Sequence, residues 1–243
     1  MTNIGHLATA VKVAMDRPQG VPGIVVMYGP SGIGKTNAGE RVERQLKAFR
    51  VECKDIWTKK AFLQSILAEM NITPERTLSA MVAQIAQGLI GATKMKPRRA
   101  PVLILDDVQY VLDKAFANVL TDIYNASGQS TLVLIGEERV PNSLAKLERL
   151  HNRVLEWVPA DDADLDDVKC LAAAHYPDLT LADDLLESLL DAVNFCLRRV
   201  VANLHRIQRV ALNEGWTSVD LQLWGDNGWS TGTHPTLDRS RRK

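Results

Sequence analysis

The sequence predicts an α/β protein with a parallel five-stranded sheet flanked by helices, followed by a small all-α domain. Five short apolar runs, at 23–28, 51–56, 102–105, 131–135 and 154–158, alternate with helical patterns up to Pro159. Strands separated by helices form a parallel sheet covered on both faces. Beyond Pro159-Ala160-Asp161-Asp162 only helical patterns follow. Between the first run and the next helix stands Gly29-Pro30-Ser31-Gly32-Ile33-Gly34-Lys35-Thr36, a G-x-x-x-x-G-K-[ST] spacing in its required strand-then-helix setting.

Residues 2–16 read as a helix, because Thr2 or Asn3 caps it and Ile4, Leu7, Val11 and Met15 recur at helical spacing. Gly23-Ile24-Val25-Val26-Met27-Tyr28 is the first strand. A helix at 37–48, a second strand at 51–56 and helices at 58–70 and 77–90 come next, then a basic loop at 91–101. The third strand, 102–105, precedes a helix at 114–126, a strand at 131–135, a helix at 142–151 and a last strand at 154–158. Further helices are expected at 165–175, 181–193, 198–212 and 218–224, the last introduced by Thr217. The Gly-, Ser-, Thr- and Arg-rich stretch 225–243 reads as a flexible basic tail. The expected organisation is a core at 1–160, a helical domain at 161–224 and the tail at 225–243.

Composition narrows the partners. The 243 residues carry 29 Lys and Arg against 29 Asp and Glu, so no global field draws the chain onto nucleic acid. Basic residues nevertheless crowd at Lys94, Lys96, Arg98 and Arg99 and again at Arg239, Arg241, Arg242 and Lys243. Such clusters are solvated surface as readily as binding sites. No apolar stretch exceeds strand length, so no membrane partner is expected, and the N-terminus shows no secretory pattern, which places the protein in the cytoplasm. Cys53, Cys170 and Cys196 are odd in number and widely spaced, and read as buried structural thiols.

The loop at 29–36 has the chemistry of a triphosphate cradle. Glycines let consecutive backbone N–H groups turn inward around an anion, and the following helix adds the positive end of its dipole. Gly29, Pro30, Ser31, Gly32, Ile33 and Gly34 would surround the phosphates, Lys35 would reach the β- and γ-phosphates, and Thr36 would place its hydroxyl on Mg²⁺. About seventy residues later Val102-Leu103-Ile104-Leu105 ends in Asp106-Asp107. If this strand lies adjacent to the loop's own, Asp106 holds Mg²⁺ through its water shell. Asp107 then orients and deprotonates the attacking water. The expected ligands are thus ATP and Mg²⁺.

Taken together, the opening helix, the GPSGIGKT loop, the LILDDVQ strand, the TLVLIGEERV segment and the leucine-rich stretch ending His151-Asn152-Arg153-Val154 resemble the AAA+ ATPases. Within them, their order and spacing over residues 2–224 resemble the DNA transposition regulators of the phage Mu B protein and TnsC kind. The resemblance implies that Arg153 is the arginine finger reaching a neighbouring subunit's γ-phosphate, with Arg149 as the alternative one helical turn away. It implies that Arg198 contacts nucleotide from the helical lid, although Asn194-Phe195-Cys196-Leu197 lacks the usual Gly and Pro before it. Asp107 stands where the family carries Glu, and its shorter side chain predicts slow hydrolysis. Glu137 occupies the sensor 1 position, either sharing water positioning with Asp107 or serving as a turn carboxylate.

The same resemblance implies a homo-oligomeric filament or ring, joined by ATP on duplex DNA, that delivers the DNA to a transposase. Phosphates would be gripped without reading sequence, by Lys59, Lys60, Arg76, Lys94, Lys96, Arg98 and Arg99. The alternative is a protein-directed AAA+ module such as a helicase loader or secretion-linked ATPase. A small-molecule kinase is a third option, disfavoured by the helical domain after Pro159.

Overall fold

In the computed structural model, which describes residues 2–94, 101–112 and 116–232, the five apolar runs become five parallel strands. The elements of the first unit, Met1–Asp161, are α1 (Thr2–Asp16), β1 (Ile24–Gly29), α2 (Lys35–Leu46), β2 (Phe49–Glu52), α3 (Lys59–Glu69), α4 (Leu78–Gly91), β3 (Val102–Asp106), α5 (Gln109–Leu112), α6 (Ala117–Ala126), β4 (Thr131–Glu137), α7 (Val140–Ala145), α8 (Glu148–His151) and β5 (Val154–Pro159). The strands lie in the order β2-β3-β4-β1-β5, and every pairing is parallel. The expected adjacency of the loop strand β1 and the aspartate strand β3 is therefore corrected, because β4 lies between them.

Alternation along each strand divides the core into two layers. Val25, Met27, Ile104, Val133 and Ile135 face a layer with Leu7, Val11 and Ala14 of α1 and Ala38 and Val42 of α2. Ile24, Val26, Leu103, Leu105, Leu132 and Leu134 face the opposite layer, with Phe62 and Ile66 of α3, Met81 and Ile85 of α4 and Leu120 and Ile123 of α6. Since both faces are buried, these strands read as continuous apolar runs, with no polar alternation.

Several boundaries differ from expectation for local physical reasons. Asn3 lies inside α1 and is buried, so it is not a cap. Lys47 takes a left-handed conformation (φ 52°) that ends α2, so β2 begins at Phe49 and stops at Glu52, ahead of the 88% exposed Ile56. The helix expected at 142–151 is two helices. Leu144 and Leu150 are both buried, yet six residues place them about 120° apart around a continuous helix. A non-helical Leu147 (φ −115°, ψ 64°) between α7 and α8 breaks that geometry. Part of the helix expected at 114–126 lies outside the described residues, as do Lys96, Arg98 and Arg99.

The second unit, Asp162–Lys243, contains α9 (Leu165–His175), β6 (Thr180–Leu181), α10 (Asp183–Ala192), α11 (Leu197–Glu214), β7 (Ser218–Val219) and α12 (Leu221–Trp224). Its core gathers Val168, Leu186, Leu189, Val200, Leu204, Ile207 and Trp224. The all-α expectation needs correction, since β6 and β7 pair in parallel, Leu181 opposite Val219. The Asp220 carboxylate, accepting from Leu223 N–H at 2.7 Å, starts α12 three residues later than expected. The expected tail also begins too early. Trp229 stacks on Trp224 at 5.4 Å, and Asn203 exchanges two hydrogen bonds with the Ser230 backbone, at 2.9 and 2.8 Å. Cys53 is buried, but Cys170 is exposed and Cys196 half-buried, so a buried structural thiol describes only the first. No helix among the described residues is long and apolar enough to cross a membrane.

Candidate nucleotide-binding site

The loop joins the carboxyl end of β1 to the first turn of α2. Gly32 (φ 87°) and Gly34 (φ 94°) take left-handed conformations, which a side chain at either position would strain. Gly34 is the residue preceding α2, so the first-turn N–H groups of that helix open into the loop. Pro30 and Ser31 are exposed, whereas Ile33 is buried. The Lys35 ammonium folds back inside the loop, donating to the Gly29 carbonyl at 2.8 Å and the Pro30 carbonyl at 2.6 Å.

Asn3, 30 residues upstream of the loop's Ile33, holds it in place. Its Nδ2 donates to the Ile33 carbonyl at 3.1 Å and to the Asp161 carbonyl at 2.9 Å, while its Oδ1 accepts from Asp161 N–H at 2.8 Å. One buried amide thus ties the loop to the chain leaving β5.

At the end of β3, Asp106 is 2% exposed and has the Thr36 side chain close enough to act on its carboxyl. Burial pushes its carboxyl above the ordinary carboxylate range. The Asp107 N–H bond holds it down, the Asp107 charge raises it further, and Thr36 and Arg50 oppose the rise. Arg50 of β2, missed in the sequence because nothing local marks it, places Nη1 3.3 Å from Asp106 Oδ2 and Nε 2.8 Å from Glu43 Oε2. Burial works against the Arg50 charge, but the Glu43 bond and the charges of Glu43, Asp106 and Glu40 leave its pKa raised. A hydroxyl and a carboxylate side by side are hard oxygen donors that fit Mg²⁺. Cys53, beside this site, has its thiol pushed far up by burial and then by Asp106, Asp107 and Glu52, which keeps it unreactive.

Asp107 has a left-handed backbone (φ 51°). Its Oδ1 accepts from Gln109 Nε2 at 3.1 Å. Lys35, Thr36, Asp106 and Asp107 therefore converge at the carboxyl edge of the sheet. Arg153 does not join them. The pairing of Ile24 with Val154 and the bond from Ile24 N–H to the Arg153 carbonyl, 3.0 Å, put it at the amino edge, roughly 17 Å below Gly29 at strand rise. Its guanidinium lies over the Tyr124 ring at 5.9 Å, with Nη2 3.1 Å from Asn125 Oδ1 and Nη1 donating to the Arg149 carbonyl. Arg149 is exposed, as are Glu137 and Arg198, the latter in the first turn of α11. Lys59 and Lys60 open α3, Arg76 precedes α4 and Lys94 ends the turn after α4; all four are exposed.

A parallel sheet of order β2-β3-β4-β1-β5, a glycine-rich loop between β1 and α2 and an aspartate ending β3 define a nucleoside-triphosphate-binding fold of the phosphate-loop class. The family model described as an AAA domain matches residues 19–144, just over half of the sequence, and the chain belongs to that family. Over 160 residues it is 28% identical to the chromosomal replication initiator protein DnaA of Methylacidiphilum infernorum, covering 64% of this chain and 32% of that protein. The ADP form of the Aeropyrum pernix ORC2 protein superposes with a TM-score of 0.69 at 14% identity, over 90% of this chain and 66% of that one. The Aeropyrum pernix ORC1 protein in complex with DNA gives 0.67 at 13% identity, over 91% and 62%. The chain thus spans about a third of the initiator's length and under two thirds of either ORC chain.

Proposed function

We propose that this chain is an ATP-driven switch that binds duplex DNA and assembles through ATP sites shared between subunits. The observation that carries the reading is the meeting of the Lys35 loop with Thr36, Asp106 and Asp107 at one sheet edge. The loop N–H groups and Lys35 bind the triphosphate. Thr36 and Asp106 would hold Mg²⁺, whose charge, when bound, offsets that of the phosphate oxygens. Asp107 accepts a proton from water as the water oxygen bonds to the γ-phosphorus. The bond from that phosphorus to the β–γ bridging oxygen breaks, its electron pair leaving with ADP, and inorganic phosphate is released. The short Asp107 side chain makes turnover slow.

Arg153, distant from its own loop, supplies charge to the γ-phosphate of a neighbouring subunit, and Arg198 is the further nucleotide contact that the resemblance implies. Losing the γ-phosphate removes the group gripped between subunits, so hydrolysis releases the assembly. DNA is held through its phosphates by Lys59, Lys60, Arg76, Lys94, Lys96, Arg98 and Arg99. In the first reading the assembly delivers DNA to a transposase, on the motif order described above. The match to the initiator DnaA favours a second reading, a replication-initiator-like role at DNA.

Sedimentation with ATP, ADP or no nucleotide, run beside phosphate release, tests the switch. ATP-dependent assembly is expected for the wild type, none for Lys35→Ala, and a persistent ATP-bound assembly with little release for Asp107→Asn. ATP binding by Lys35→Ala equal to that of the wild type would remove the proposed site.

A further inference from the structure

Gln109 opens α5 two residues after Asp107, and the two ends of its amide reach two different elements. Nε2 donates to Asp107 Oδ1 at 3.1 Å, and Oε1 accepts from the backbone N–H of Glu137, the last residue of β4, at 3.3 Å. The passage between them depends on Gly136. A Cβ at that position would lie 2.7 Å from Gln109 Oε1 and 2.6 Å from Val140 Cγ2, so a larger residue there would displace the Gln109 amide or Val140. Nearby, Val108 N–H donates to the Ile135 carbonyl at 2.9 Å, fixing the backbone after β3 to β4 immediately before the glycine. The left-handed Asp107 thus sits in a short link whose far side is pinned to β4.

We propose that Gln109 is a positioning residue for ATP hydrolysis, holding the Asp107 carboxylate in register with the end of β4. This rests on the ATPase reading above. Asp107 is half-buried at a positive-φ position, and the Gln109 amide is a hydrogen-bond donor to its side chain among the described residues. That bond constrains Oδ1 and leaves Oδ2 to accept the proton when the water oxygen bonds to the γ-phosphorus and ADP departs. The same amide makes the orientation of Asp107 depend on where the end of β4 stands. Any shift of the Glu137 N–H is passed to the base through one rigid planar group. Both hydrogen bonds need an amide: a carboxylate at 109 keeps the acceptor for Glu137 but loses the donor, and a thioether of similar length loses both.

The test compares wild type, Gln109→Met and Gln109→Glu in the full chain by single-turnover hydrolysis at saturating ATP, fluorescent-ATP binding, thermal melting and amide hydrogen exchange at Glu137. Gln109→Met is expected to lower turnover about tenfold, with nucleotide affinity and Tm near wild type, because misplacement of a base acts on the chemical step. It should also speed exchange at the Glu137 amide. Gln109→Glu should keep that amide protected and still lose turnover, a split that a packing role would not produce. Wild-type turnover in Gln109→Met or Gln109→Glu would overturn the positioning role while leaving the ATPase reading intact. A wild type that binds ATP but never hydrolyses it would remove both.

Discussion

Arg50 on β2 and Asp106 at the end of β3 form an ion pair, 3.3 Å from Nη1 to Oδ2, at the floor of the candidate Mg²⁺ site. The aspartate is 2% exposed and the arginine 18%, and the pair is continued outward through Glu43 and Glu40 of α2. Helix α2, which begins with Lys35, is thereby tied electrostatically to the strand that ends in Asp106. Arg50 is a countercharge to this buried carboxylate and holds its pKa down against burial.

Removing Arg50 should be costly. Arg50→Met leaves Asp106 buried beside Asp107 without this countercharge, and is expected to lower unfolding free energy by about 3 kcal/mol, the low end for broken buried pairs, because Arg50 is 18% exposed. Arg50→Lys should restore less than half of that, since an ammonium cannot span Glu43 and Asp106 as a guanidinium does. Urea titration of the three proteins measures both effects, and a stability change below about 0.5 kcal/mol for Arg50→Met would mean that the pair is dispensable.

The Asp106 carboxyl gives a pH signature with a definite sign. Its folded pKa lies above its unfolded value, chiefly through burial. Its contribution to stability is therefore fully present below the unfolded pKa and is lost as pH rises through the folded one. Without nucleotide, Asp106→Asn should have a higher Tm than wild type at pH 8, and the gap should close as pH falls through the acidic range. A gap independent of pH would contradict the burial argument.

Asn3 is expected to act on the loop from a distance. Asn3→Ala breaks two bonds to the Asp161 backbone and one to the Ile33 carbonyl, and should destabilise the unit by about 2 kcal/mol at roughly 1 kcal/mol per net bond, less for mutual strain. ATP affinity should fall with it, because the loop loses its anchor. Calorimetric melting and fluorescent-ATP titration read the two separately, and an affinity equal to wild type would show that the loop holds its shape unaided.

How far this could be read from the sequence follows from the range of each interaction. The loop was legible because Gly32, Gly34, Lys35 and Thr36 act within one turn of chain, and the strands because burial on both faces writes unbroken apolar runs. The position of β4 between β1 and β3 was not, since pairing partners leave no local mark. Arg50 and Asp106 stand 56 residues apart, and Asn3 and Asp161 stand 158 apart. Asn3 looked like a cap because Asn is a common cap, and only its burial shows another use. The pairing of Leu181 with Val219 joins short segments whose helical neighbours dominated the pattern.

The amino-edge position of Arg153 makes a test of shared sites possible. Lys35→Ala and Arg153→Ala should each be inactive in phosphate release. Mixed in equal amounts, they should recover activity at about a quarter of their interfaces, the fraction joining an intact Lys35 to an intact Arg153 across a head-to-tail contact. A mixture as inactive as its components would place the finger elsewhere, with Arg149 the next residue to test.

The central claim is that ATP switches this chain onto duplex DNA. Fluorescence anisotropy of a labelled random-sequence duplex, at two salt concentrations with ATP, ADP or no nucleotide, measures it most directly. Binding is expected with ATP alone, weakening steeply with salt as phosphate contacts require, and absent for Lys35→Ala. Equal binding in every nucleotide state, or none in any, would contradict the account.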